Sequence, residues 1–135
     1  MRIASIQKID AKGRISIPAR VREALGLKDG MRVLLVADVE ERRIAINLFA
    51  DPEAKLVEFR ISLNDIPGAL ARAASILAKN GIDLLFSESR TLRRGEFAEW
   101  IAIADYSKCI KPLDKVKEEL INEDCIKAVG FRVLE

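Results

Sequence analysis

Six cations crowd the start of this chain. Lys8, Lys12, Arg14, Arg20, Arg22 and Lys28 stand against only Asp10 and Glu23 between residues 8 and 28, a net of +4 in a 135-residue chain whose formal total is +2. Ammonium and guanidinium groups gathered this closely bind polyanions, and the phosphate backbone of nucleic acid is the first partner to consider. A second group has different chemistry. Pro67-Gly68 opens a segment that reads as a helix start, where unpaired N–H groups and a partial positive charge suit a carboxylate. Gly68 lets a ligand approach the main chain closely. Asp65 or Asp83 could then meet an α-ammonium group; alternatively, Asp65 caps the helix and Pro-Gly makes the turn.

Other chemistry is poorly provided for. The chain has no histidine and two cysteines, Cys109 and Cys125, too far apart to form a zinc-ligand pair. Histidine-dependent catalysis is excluded, and no compact lysine or carboxylate constellation replaces it. The expectation is a protein that is not an enzyme, with no metal and no cofactor, and with both cysteines reduced. No apolar run approaches a membrane span, and the N-terminus lacks a signal-peptide core, which predicts a cytoplasmic protein with no membrane partner.

The elements that would carry the cations are legible. Arg14-Ile15-Ser16-Ile17 alternates polar and apolar as a half-buried strand does. Pro18 suits the first helical position, Val21, Ala24 and Leu25 form an apolar stripe, and Gly26 is placed to stop the helix. Arg20 and Arg22 flank that stripe. Asp29-Gly30 signals a turn, Met31–Val39 reads as a strand, and Ile44, Ile46 and Leu48 alternate in its partner across Glu40-Glu41-Arg42. So small a unit, without disulfide or metal, cannot bury a self-sufficient core, so a partner subunit is expected.

The ordered run Lys8-x-Asp10-x-x-Gly13-Arg14-x-x-Ile17-Pro18-x-x-x-Arg22-x-x-Leu25-Gly26 resembles the swapped-hairpin DNA-binding domain of the AbrB/MazE/SpoVT superfamily. The resemblance covers roughly residues 3–48. It implies an interleaved homodimer of β-hairpins that binds double-stranded DNA, with arginines at the positions of Arg14 and Arg22 in contact. Gln7 and Glu23 stand where the AbrB regulator has arginines.

Charge divides the chain near Phe49-Ala50-Asp51-Pro52-Glu53-Ala54: residues 1–50 carry +4 and residues 51–135 carry −2. That segment has one proline and no Gly/Ser tract, so a semi-rigid joint is expected. Beyond it, Val57, Phe59, Ile61 and Leu63 alternate with Glu58, Arg60 and Ser62, a strand with one buried face. An alanine-rich helix follows, with Leu70, Ala73, Ala74 and Leu77 as its stripe and Asn80-Gly81 as its end. Ile82–Leu92 and Phe97–Ala104 read as a strand pair turning at Arg93-Arg94-Gly95. Pro112 opens a second helix with Leu113, Val116 and Leu120 on one face, and Lys127, Val129, Phe131 and Val133 mark a last strand, Lys127 at its exposed end. Trp100 is expected in a core or interface. The order βαββαβ makes the chain α+β overall: a β-rich swapped-hairpin dimer domain, residues 1–50, then a ferredoxin-like domain, residues 51–135.

Asp65-Ile66-Pro67-Gly68-Ala69-Leu70 and Asn80-Gly81-Ile82-Asp83 resemble the signature of ACT domains over roughly residues 55–135. That resemblance implies a small-molecule effector, an amino acid, held near Asn64, Asp65, Ile66, Gly68, Ala69, Leu70 and Asp83, usually between two copies. The DNA contacts are expected from Lys8, Lys12, Arg14, Arg20 and Arg22. The whole then reads as a homodimeric or tetrameric transcriptional regulator that senses a metabolite. Two alternatives remain: the antitoxin of a toxin–antitoxin pair, or the regulatory subunit of an amino-acid biosynthetic enzyme.

Overall fold

The computed structural model describes residues 1–49 and 51–134, and the chain divides into two units, Met1–Pro52 and Glu53–Glu135. The expected joint includes Ala50, which lies outside the described residues.

In the first unit, residues 1–17 form neither helix nor strand. A turn at Asp10–Arg14 interrupts them, closed by Gly13 N–H to the Asp10 carbonyl and Asp10 N–H to the Arg14 carbonyl, both 3.0 Å. Gly13 takes the left-handed φ of 76° that this turn needs. The strand expected at Arg14–Ile17 is therefore absent. A strand exists only with a ladder partner, and this unit provides none there, because its two strands pair only with each other. Pro18 precedes helix α1 (Ala19–Leu25) rather than opening it: its ψ of 148° is extended, and its carbonyl accepts from Val21 and Arg22 N–H. Gly26, in the left-handed conformation, ends α1 as expected. Its N–H reaches the Glu23 carbonyl, and Leu27 N–H reaches that of Arg22 at 2.8 Å.

Strands β1 (Val33–Asp38) and β2 (Arg43–Leu48) form an antiparallel hairpin in which Val33 faces Leu48, Leu35 faces Ile46, and Ala37 faces Ile44. These six side chains share one face, and all are exposed, Leu35 at 58% and Ile44 at 64%. Among the described residues, Leu34 is the one buried hydrophobic side chain of this unit. The stripe on α1 is no better covered, since the helix buries no residue.

The second unit satisfies itself. Its elements are β3 (Leu56–Asn64), α2 (Ala69–Lys79), β4 (Asp83–Arg93), β5 (Phe97–Asp105), α3 (Leu113–Ile121) and β6 (Ile126–Val133). The four strands lie in the order β4-β5-β3-β6, every neighbouring pair antiparallel. This is the expected βαββαβ order. The alternation read in β3 holds: Val57, Phe59, Ile61 and Leu63 are buried beneath both helices, with Trp100, Ala102 and Ala104 beside them on β5. From α3 come Val116 and Leu120; from α2 come Ala69, Ala73, Ile76 and Leu77.

The stripe on α2 is thus displaced from the expected one. Leu70 is 38% exposed and Ala74 only half-buried, because the helix starts at Ala69 and turns Ile76 inward instead. A second correction concerns β6. Its register slips so that Ala128 faces Ser62 while Ile126 faces Leu63, which leaves Lys127 as an extra residue. Both Ile126 and Val129 consequently point into the core, Val133 is exposed, and the Lys127 ammonium sits 4.1 Å from the Phe97 ring centroid.

The far end of α2 is fixed by polar groups. Asn80 is 1% exposed; its Nδ2 donates to the Ile76 carbonyl at 2.8 Å and to Glu119 at 3.2 Å, and its carbonyl accepts from Ile110 N–H. Glu119 is also bonded by Lys111 and Lys79. The Lys111 bond, followed by that of Lys79, holds its pKa down at about 2 against burial, with Asn80 adding a smaller effect in the same direction. Next to it Gly81 has a φ of 81°, and a Cβ there would sit 2.4 Å from the Lys108 carbonyl oxygen. Gly81→Ala should therefore cost about 2–4 kcal/mol through clash and a disfavoured φ. Gly130→Ala, where an added Cβ meets nothing within 4 Å, should cost far less. Calorimetric melting of the two variants checks this.

Candidate nucleic-acid interface and effector recess

The cationic residues gather around the Asp10–Arg14 turn and α1. Gln7, Lys8, Asp10, Arg14, Ile15 and Ser16 line a recess of about 510 Å³. Asp10 organises it. Its Oδ1 accepts from Lys12 N–H at 2.9 Å and from Arg14 N–H at 2.8 Å, and its Oδ2 accepts from Arg14 Nε at 2.8 Å. The Arg14 N–H, then the Arg14 guanidinium, hold the Asp10 carboxyl below the usual carboxylate range against the upward effect of burial, with the Lys12 N–H adding a lesser downward effect. On α1, Arg22 Nη1 donates to the Ile17 carbonyl and ties the helix to the segment before it. Lys8, Lys12 and Arg20 have no side-chain partner among the described residues.

Lys8 and Arg14 therefore share one recess, Lys12 sits in the turn between them, and Arg20 and Arg22 follow on the helix. Sequence reasoning counts Asp10 as a charge to subtract and as part of the ordered motif, without assigning it a structural role. The Asp-x-x-Gly spacing is the signal for its role, since an Asp side chain readily bonds backbone N–H groups a few residues on.

In the second unit, a recess of about 320 Å³ opens at the start of α2. Of the expected contacts, Asn64, Ile66, Gly68 and Ala69 line it, joined by Arg72 and Cys125, neither of which the sequence places at this site. Gly68, with φ 88°, is the N-cap, and no side chain caps the helix. Asp65 is accordingly neither a cap nor part of the recess lining. Its Oδ2 accepts from Gly95 N–H at 2.7 Å and its own N–H donates to the Glu96 carbonyl, so it grips the β4–β5 turn. Leu70 does not line the recess either. Asp83 lies at the other end of the sheet, opposite Asp105, whereas Asn64 is opposite Phe97. Within one chain the structure does not bring Asp83 to the Asn64–Leu70 loop.

Arg72 is paired with Glu123 at 3.0 Å on the recess rim. Cys109 and Cys125 are both free and half-buried, and the Cys109 thiol donates to the Lys111 carbonyl. Among the described residues no cluster of three or more His, Cys, Asp or Glu side chains could hold a metal ion, and no helix is long and apolar enough to cross a membrane.

A βαββαβ sheet with a Pro-Gly helix entry defines a class, and comparison with known proteins bears it out. The ACT domain family matches residues 57–124, half of the chain, and the chain belongs to that family. Residues 6–47 match the family described as antidote-toxin recognition MazE, bacterial antitoxin, so the first unit is of the MazE/AbrB-like type. The transcriptional regulator MraZ of Azotobacter vinelandii is 29% identical over 94% of this chain and 82% of its own length. MraZ of Marinobacter nauticus is 38% identical over 39% of this chain and 35% of its own. Among solved structures, the C-terminal domain of the MgtC protein from Mycobacterium tuberculosis overlaps 64% of this chain and 95% of that one, at 14% identity and a TM-score of 0.49. So loose an overlap has no bearing on function.

Proposed function

We propose that this protein is a cytoplasmic transcriptional regulator. It binds double-stranded DNA through a pair of N-terminal units and reads a small metabolite, an amino acid, with its C-terminal unit. The observation that carries the first part is the turn–helix surface of Lys8, Lys12, Arg14, Arg20 and Arg22, in a chain whose relatives include proteins named as transcriptional regulators. Ion pairing with phosphate releases counterions, so affinity for duplex DNA should fall steeply with salt. Replacing Lys12 by alanine should reduce the slope of log K against log salt by about one for each phosphate ion pair removed. Fluorescence anisotropy across a salt series measures it. An affinity indifferent to salt would remove the DNA reading.

Pairing of the N-terminal units is supported by the apolar hairpin face, which nothing in its own unit covers. Ile46→Glu provides the discriminating test on the full chain. In a monomer, a charge at this exposed position should cost no more than about 0.5 kcal/mol. In a dimer it would bury a carboxylate among Leu35, Ile44 and Leu48, and sedimentation should show dissociation or loss of the folded first unit.

Effector binding is supported by the recess at the start of α2, where no side chain caps the helix, although Ala69 N–H already donates to the Ile66 carbonyl at 3.3 Å. Two copies joined antiparallel along the β4 edge would put the Asp83 of one beside the β4–β5 turn of the other, because the start of each strand then meets the end of its partner. That turn is the one Asp65 holds. An amino acid would thus lie with its carboxylate at Gly68–Ala69 and its ammonium toward the partner's Asp83. A thermal-shift screen of the amino acids should yield a stabilising ligand, and Asp83→Ala should abolish the shift while leaving the unliganded melting temperature unchanged. No stabilisation by any amino acid would leave the second unit an assembly module.

A further inference from the structure

The turn that presents Arg14 is closed by backbone alone, through Gly13 N–H to Asp10 and Asp10 N–H to Arg14. The Asp10 carboxylate adds Oδ1 bonds to two more N–H groups, and then Oδ2 takes Arg14 Nε. This last bond spans the same two residues, in a turn that the backbone already closes without it. An acid within a cationic patch also weakens its pull on a polyanion, so Asp10 subtracts from bulk attraction while fixing one side chain.

That side chain is 71% exposed, and its Nη1 and Nη2 have no partner among the described residues. Holding Nε sets the plane of a guanidinium and points its remaining donors outward as a fork, a geometry suited to two neighbouring acceptors. Lysine offers no such geometry; its ammonium is a rotatable point charge. Ordering a long side chain before contact also removes part of the entropy that binding would otherwise cost.

Resting on the DNA-binding reading above, we infer that Asp10 is a positioning residue for sequence recognition: it presets the Arg14 fork against two acceptors on one base edge, while Lys8, Lys12 and Arg20 hold the phosphate backbone. Asp10 then adds nothing to the attraction for duplex DNA in general, and strengthens binding only where the sequence offers the fork its two acceptors.

The probe is a pool of randomised duplexes selected on the full-length wild-type protein, followed by affinity for the selected duplex and for an unrelated one. Asp10→Asn keeps an oxygen for the two turn N–H groups but turns an amide donor toward Nε. In this variant affinity for the unrelated duplex should be unchanged or higher, while the preference for the selected one falls by about tenfold or more. Arg14→Lys should lose the same preference, and the double variant should be no worse than either single one, as residues acting through one contact are not additive. In the free wild-type protein, NMR should show the Arg14 Nε–H resolved and slow to exchange; Asp10→Asn should abolish that signal.

A preserved preference in Asp10→Asn, additive losses, or a wild-type Arg14 Nε–H that exchanges freely would each overturn the inference. If Asp10→Asn does not fold, Arg14→Lys and the wild-type signal decide the matter. Salt-dependent binding with no sequence preference would sink this inference alone, whereas no binding to any duplex would remove the DNA reading with it.

Discussion

Val33, Leu35, Ile44, Ile46 and Leu48 line up on one side of a two-stranded sheet, and each remains roughly half in water. Covering that face would contribute about 4–7 kcal/mol, comparable with the entire net stability of a small domain. The same unit has a second unmet need in its first 17 residues, whose backbone pairs with no strand and whose Ile6, Ile9 and Ile15 are exposed. An uncovered sheet and an unpaired arm in one chain complement each other in two. Exchange of arms between copies, the pairing proposed above, would meet both needs and is a low-cost route to a dimer. On this reading the cationic surface is doubled about a two-fold axis, which is also the symmetry of a duplex.

The second unit is under no such constraint. Sixteen buried side chains, from three strands, two helices and Ile82 just before β4, form one core, and the end of α2 is fixed by the buried Asn80 and the Glu119–Lys111–Lys79 contacts. What it offers a second copy is the edge strands of its sheet, β4 and β6, of which the proposed pairing uses β4. In the proposed assembly the two units would gain different things from association: for the first it would complete the fold, and for the second it would complete a site.

Much of this is legible in the sequence because it depends on local rules. Gly26 ends α1 where a left-handed residue is needed, β3 alternates because one face lies under helices, and Val116 and Leu120 fall on one side of α3 because their spacing is helical. The misreadings share a cause: each depends on a partner distant in sequence. Arg14–Ile17 alternates like a strand, yet the unit holds nothing for it to pair with. Leu70 has the right spacing for the core, but the sheet beneath α2 meets Ile76 instead. Lys127 looks like the end of a regular alternation and is the extra residue of a bulge, set by the register against Leu63. Asp65 reads from its neighbours as a cap or a ligand contact, while its carboxylate is engaged by Gly95, thirty residues away.

That engagement changes what Asp65 can do for an effector. Asp83 has no side-chain partner among the described residues, so an ammonium group bonding to it breaks nothing. Asp65 is already committed, and an ammonium that bonded to it would weaken or share its hold on Gly95 and so act on the β4–β5 turn. Replacing one hydrogen bond by another changes free energy by about 1 kcal/mol, somewhat more when the new bond is charge-assisted. This is too little to anchor a ligand by itself, yet it matches the roughly 1–3 kcal/mol by which coupled sites typically influence each other. The free carboxylate is therefore suited to affinity and the committed one to communication. A ligand touching both would bind through the first and be felt through the second, in whichever subunit the turn belongs to.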